Sequence, residues 1–205
     1  MSQKIDGISS IFNSAKIYDL FQKIISKNCH KYIANKYLLD CYSILDIGCG
    51  TGLIVDYLPD NIKYFGYDLD KNYIDFAKKK YVMKDNISFK NMKFEKSNFK
   101  DLDKFDVILA YGLLHHLSNA DIDDFFKLAS NSLSKKGKVV TIDVCHQKSQ
   151  NFIKKIFISQ DRGKNIKFPD EYKFFASKYF KKINIKVYNN LIYMPSDHCV
   201  LVAFK

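Results

Sequence analysis

The stretch that most limits what this chain can fold into is Ile44-Leu45-Asp46-Ile47-Gly48-Cys49-Gly50-Thr51-Gly52. An apolar run broken by one acid, Asp46, reads as a buried strand. Three glycines then alternate with small side chains before Leu53-Ile54-Val55 resumes an apolar helical pattern. Glycine serves where backbone takes positive φ or where a ligand comes closer than a Cβ allows. The segment therefore reads as a strand, a tight turn against which a flat ligand can lie, and a helix start.

A preceding strand, a following helix and an acid about 20 residues beyond the first glycine form the general setting of a dinucleotide-type site. Asp68 supplies that acid. Two details separate this turn from a nicotinamide site. The glycines fall as GxGxG instead of GxGxxG, and Asp46 precedes the first of them, near the expected mouth of the pocket. A carboxylate there repels a pyrophosphate but suits a ligand with an ammonium group. S-adenosylmethionine (SAM) has an α-ammonium, a sulfonium and no phosphate.

The segment resembles motif I of the class I SAM-dependent methyltransferases. The similarity continues in Tyr64-Phe65-Gly66-Tyr67-Asp68, in the run from Phe105 to Leu117, and in the run from Leu133 to Asp143, all in the family's order. It implies SAM as cofactor and S-adenosyl-L-homocysteine as product. Ile17 to Gln22, Asp161 to Asn165, Pro169 to Tyr172, and Leu191 to Pro195 with His198 look like a group of short bacterial methyltransferases, often associated with surface-polysaccharide or small-molecule biosynthesis.

The order of elements agrees with an α/β fold. Apolar residues recur at helical spacing over residues 8 to 39, enough for two or three helices that either pack on one face of the sheet or cap the cofactor. The pattern then predicts a strand at 42–47, a helix at 51–58 stopped by Pro59, a strand at 62–68, a helix at 70–81 and strands near 92–96 and at 104–110. A helix at 119–133 and a strand at 137–143 follow, then helices at 150–158 and 170–180 and strands at 182–189 and 197–204. Alternation of this kind implies a parallel sheet with right-handed crossovers, and the resemblance makes the last two strands an antiparallel hairpin. The expectation is a Rossmann-like, seven-stranded, mostly parallel sheet with helices on both faces and an N-terminal helical cap. One domain, 1–205, would comprise the cap (1–40), the SAM-binding core (41–145) and the substrate-side helices with the closing hairpin (146–205).

Asp46, Gly48, Cys49, Gly50 and Gly52 are the expected cofactor-binding turn. Asp68 and Leu69 follow at a strand end, where a carboxylate accepts from both hydroxyls of a ribose; Asp70 fits the helix N-cap better. By resemblance Ser97, Asn98 and Phe99 hold the adenine, although the family's usual acid is absent there, and Tyr111 lies beside the sulfonium. The segment Ala110-Tyr111-Gly112-Leu113 is unlike the Asn-Pro-Pro-Tyr type of nucleic-acid and protein-amide methyltransferases. Leu114-His115-His116-Leu117 is similar to the stretch whose histidine is the general base in plant small-molecule O-methyltransferases. His115 matches it, and a neutral imidazole near pKa 6.5 can take a hydroxyl proton; the His115-His116 pair is also readable as a packing feature. His146 and Asp143 follow the fifth strand, where substrate groups gather. Tyr18, Gln22 and His198 complete the substrate-binding candidates with Arg162, the single arginine among 33 basic residues. Its planar fork suits a carboxylate or phosphate, and a salt bridge to Asp161 or Asp197 is the plainer use.

A formal net charge of +11 arises from lysines spread along the chain. Because they are spread, a solvated surface is the plainer reading than a nucleic-acid footprint, and an anionic small substrate or an acidic membrane surface would be helped equally by this field. Five widely spaced cysteines without a CxxC pair argue against a disulfide framework and a zinc site; His115, Asp143 and His146 form the one conceivable divalent set. Without a basic-then-apolar leader or an apolar run near 18 residues, the expectation is a cytoplasmic protein with no membrane span. The expected function is methyl transfer from SAM to a hydroxyl of a small anionic or sugar-like acceptor. RNA or protein methylation, or a SAM-binding partner protein without catalysis, are the alternatives.

Overall fold

A computed structural model of the chain describes residues 14–26, 28–94, 104–159, 163 and 165–205. Ser97, Asn98, Phe99 and Arg162 lie outside them, as does the stretch before Ser14. Helices α1 (Ala15–Ile25) and α2 (Cys29–Tyr37) precede β1 (Ser43–Ile47), β2 (Lys63–Asp68), α3 (Lys71–Lys80), β3 (Ile87–Asn91) and β4 (Phe105–Tyr111). Then come α4 (Asn119–Ser132), β5 (Leu133–Val144), α5 (Phe152–Ser159), α6 (Pro169–Ser177), β6 (Lys182–Tyr188) and β7 (His198–Phe204). The seven strands form one sheet in the order β3-β2-β1-β4-β5-β7-β6. β1 to β5 run parallel, and β7 lies antiparallel to both β5 and β6. The strand order reverses between β1 and β4, the position at which sheets of this kind bind ligands beyond the carboxyl ends of the strands.

Strand alternation divides the core into two layers. Leu45, Ile47, Tyr67, Ile108 and Ala110 face α4 and α6, packing on Phe125, Phe126 and Tyr172. Their neighbours Ile44, Tyr64, Val107 and Leu109 face the other way, onto Ile33 and Ala34 of α2 and Ile74 and Ala77 of α3. Helices therefore cover both faces, and α2 is core as well as cap. Asp70 caps α3, accepting from the backbone N–H of Asn72 at 2.8 Å, and Ser118 caps α4 through the N–H of Asp121 at 3.2 Å.

Three elements differ from the sequence expectation. The helix expected at 51–58 is a 3-10 segment, Leu53–Tyr57, because Gly52 adopts a left-handed φ of 72° and Leu58, which precedes Pro59, is extended at ψ 143°. Too little chain is left between them for α-helix. The strand expected near 92–96 is Ile87–Asn91, registered on β2 from Tyr64 opposite Ile87 to Asp68 opposite Asn91. Phe89 anchors it by packing between Tyr64 and Tyr81. β5 begins at Leu133, directly after α4, because Leu133 pairs with Phe105 before the register shifts to Val107 opposite Lys138.

Candidate active site

The glycine turn is built around the end of β2. The N–H groups of Gly48 and Cys49 both donate to the Tyr67 carbonyl, at 2.7 and 3.1 Å. Gly50 N–H donates to Asp68 Oδ2 at 2.8 Å, and Asp70 N–H to Asp68 Oδ1 at 2.8 Å. Burial pushes the Asp68 carboxyl up, and these two backbone donors offset part of that rise. Asp68 thus holds the turn against its strand while each oxygen keeps a lone pair for a further donor. Gly52 cannot be replaced without strain: a Cβ there would lie 2.7 Å from the Phe89 ring.

Above the turn lies a cleft of about 440 Å³. Its floor is Asp46 and the segment from Gly48 to Thr51; its walls are Tyr18 and Gln22 of α1, His30 of α2, and Tyr111 at the end of β4. Residues of both first helices thus line the cleft, and α2 also packs on the sheet. Asp46 is 2% exposed. Its Oδ2 accepts from the Tyr64 hydroxyl at 2.7 Å, whereas Oδ1 is buried without a hydrogen-bond partner. Burial pushes this carboxyl up to about 7 against the Tyr64 hydrogen bond, with the Asp68 charge adding to the rise.

α1 is fastened to the turn by an acid that sequence reasoning missed. Asp19 accepts from Thr51 Oγ1 at 2.9 Å and from Lys80 Nζ at 3.2 Å, and pairs with Lys23 at 3.3 Å. Burial raises its carboxyl, but the Thr51 hydrogen bond and the two lysines outweigh that and hold it below its usual value. Its neighbours one helical turn on, Gln22 and Lys23, read as a solvated face, so nothing in the sequence marks Asp19 as buried. His30 was missed as well. Its ring runs parallel to that of Tyr111, 4.7 Å between centroids and 7° between planes, and the Tyr111 hydroxyl lies 2.8 Å from Cys29 Sγ. Tyr18 stacks on Tyr73 of α3 at 4.6 Å. Leu69 points outward just past Asp68.

The histidine candidates separate into different settings. His115 is buried, and its Nδ1 lies 2.9 Å from Asp143 Oδ1, which also accepts from the His115 backbone N–H at 3.2 Å. Burial raises the Asp143 carboxyl, partly opposed by His115, and its Oδ2 is buried without a partner. A Cβ on Gly112 would stand 3.9 Å from His115 Cε1, so the imidazole edge lies one contact layer from the turn after β4. The tail presses on the same ring: a Cβ on Gly163 would meet His115 Cδ2 at 2.0 Å, and Asn165 N–H donates to the His115 carbonyl at 3.1 Å. His116 turns outward with its ring 4.1 Å from that of His115. His146 packs on Phe168, centroids 5.5 Å apart. His198 is buried at the start of β7, opposite Val144 and Tyr188. Asp197, the alternative partner for Arg162, is bonded to Lys154 and, at 2.9 Å, to Gln150. Among the described residues no group of three or more His, Cys, Asp or Glu is placed to hold a metal ion, and no helix is long and apolar enough to cross a membrane.

Residues 44–137 match the methyltransferase domain family. Over 112 residues the chain is 30% identical to putative methyltransferase 235L of Invertebrate iridescent virus 6, covering 48% of this chain and 39% of that protein. Over 127 residues it is 32% identical to the ubiquinone biosynthesis O-methyltransferase of Pelagibacter ubique, covering 62% of this chain and 51% of that one. The chain thus spans about half or less of the curated relatives it matches. The structure of human N-acetylserotonin methyltransferase in complex with SAM superposes with a TM-score of 0.71 at 17% identity, over 96% of this chain and 58% of that one. At that identity the likeness is one of fold.

Proposed function

We propose that this chain, whose residues 44–137 match the methyltransferase domain family, is a class I SAM-dependent enzyme that transfers a methyl group to a hydroxyl oxygen of a small anionic or sugar-like acceptor. The donor set suits SAM, since the cleft offers a buried carboxylate oxygen without a partner on a glycine turn. When bound, SAM supplies an electrophilic methyl carbon on a sulfonium. The chain supplies proximity and orientation, which can remove about 7–11 kcal/mol of the barrier between two bound reactants. Asp46 would hold the ammonium, Asp68 the ribose hydroxyls, and Tyr111 would line the side of the sulfonium.

The observation that carries the oxygen-acceptor reading is the His115–Asp143 pair at the ends of β4 and β5. Asp143 accepts at Nδ1–H, which orients the ring and leaves Nε2 as the basic nitrogen. His115 then takes the acceptor's hydroxyl proton at Nε2 as the oxygen attacks, and the Asp143 carboxylate stabilises the resulting imidazolium. A base of this kind contributes about 10²-fold or more in rate. His115→Ala should lower turnover by about that factor in a methyl-transfer assay with labelled SAM while leaving SAM affinity nearly intact; full activity would remove His115 from this role. An RNA acceptor is the second reading, helped by the overall +11 charge though not by its spread, and RNA binding that weakens steeply with salt would support it.

A further inference from the structure

Two buried polar atoms without hydrogen-bond partners belong to side chains lining the same cleft: Asp46 Oδ1 on β1 and His30 Nδ1 on α2. His30 is 7% exposed. A buried polar group left unpaired is costly, so such a group beside an open cleft is best explained by a ligand that completes it. The imidazole is held in place by its parallel packing on Tyr111 and, more distantly, on Tyr57 at 6.3 Å. Its orientation is therefore set by its neighbours and not by the partner it lacks.

The other candidates for an anion on this side of the cleft are already engaged. None of the described residues lining it is lysine or arginine. Lys80 is bonded to Asp19 and Asp56, and Lys23 lies within ion-pair distance of the same two acids. Gly50 N–H is given to Asp68 and the Thr51 hydroxyl to Asp19. Besides the Tyr18 phenol and the Gln22 amide, the lining presents the Asp46 carboxyl and the His30 imidazole. Burial keeps His30 neutral by pulling its pKa down to about 4. This set complements a zwitterion.

Resting on the SAM reading above, we infer that His30 and Asp46 together recognise the α-amino-acid end of the cofactor, with His30 Nδ1–H donating to the carboxylate and Asp46 Oδ1 accepting from the ammonium. The carboxylate is thereby read by a residue of the N-terminal cap, and cofactor affinity depends on α2 being seated on the sheet. The pairing also gives the site a means of rejecting adenosyl thioethers that lack the carboxylate.

The test is a calorimetric cycle with S-adenosylhomocysteine and its decarboxylated analogue, which keeps the amine and loses only the carboxylate. Wild type should prefer S-adenosylhomocysteine by about tenfold or more, the value of one hydrogen bond to a charged group. His30→Leu should lose that preference while binding the decarboxylated analogue as wild type does, which also shows that the variant is folded. His30→Asn, which keeps a donor near the Nδ1 position, should recover most of the preference. Equal affinity of wild type for both ligands, or an unchanged preference in His30→Leu, would overturn the inference while leaving the SAM reading standing. Failure of wild type to bind either ligand would overturn both. A His30→Leu protein that loses both ligands equally would assign His30 to packing alone.

Discussion

The two halves of the sheet's carboxyl edge are built differently. On the cofactor half, around β1 and β2, nearly every donor is spent on holding the glycine turn: Tyr67 accepts twice, Asp68 accepts twice, and Asp19 pins α1 to Thr51. Of what remains unpaired there, Asp46 Oδ1 and His30 Nδ1 lie beside the cleft. On the other half, around β5, β7 and α5, Asp197 is satisfied internally by Lys154 and Gln150 beside a polar hollow of about 650 Å³. There α5 buries Ile158 and turns Phe152 and Ile153 outward, 76% and 63% exposed. A half that must bind one fixed ligand has its loop geometry imposed by its own backbone. The other half pairs Asp197 within itself, while Asp143 keeps one buried carboxylate oxygen without a partner.

Four substitutions can break or sharpen this contrast. Asp197→Ala leaves Lys154 without its partner in a mostly buried setting, and should cost about 3–5 kcal/mol in urea unfolding; SAM affinity measured on the folded fraction should not change. Gly52→Ala places a Cβ against Phe89 in left-handed backbone. It should cost about 3 kcal/mol and, unlike Asp197→Ala, also weaken SAM binding. If the two variants affected affinity alike, the halves would not be separate in function.

The third concerns pH. The Asp46 carboxyl sits at about 7 in the folded protein against about 4 in an unfolded chain. The folded state holds the extra proton between those values, so the stability this group contributes is present below pH ~4 and lost as pH rises through about 7. Asp46→Asn should abolish that loss, flattening the stability of the protein from pH ~5 to ~7.5 by about 2 kcal/mol relative to wild type. Parallel curves for the two proteins would show that Asp46 is ionised throughout. The smallest effect is at the ribose acid: Asp68→Ala should weaken SAM by about tenfold, near 1.4 kcal/mol, and unchanged affinity would confine Asp68 to bracing the turn.

The cofactor half was readable in the sequence because its constraints are local. Positive φ at Gly48, Gly50 and Gly52 and an acid at the end of the next strand each leave a mark within a few residues. What stayed hidden depends on contacts between distant segments. His30 and Asp19 meet the glycine turn only after α1 and α2 fold over it, and nothing near them in the chain marks either as a cleft residue. His115 and Asp143 could each be named, but their 2.9 Å contact joins the ends of two neighbouring strands. Helical period in α5 identified a helix at about the right place without saying which way its apolar face turns. The 3-10 segment after Gly52 was misread because an apolar pattern shows periodicity and not the length of chain available between Gly52 and Pro59.

The central claim is that the cleft over the glycine turn is a SAM site, and calorimetric titration of the pure protein with SAM and, separately, with NAD tests it most directly. Saturable one-to-one binding of SAM with no heat from NAD is the predicted result, since Asp46 attracts an ammonium and repels a pyrophosphate. Binding of NAD, or no binding of SAM, would contradict the account.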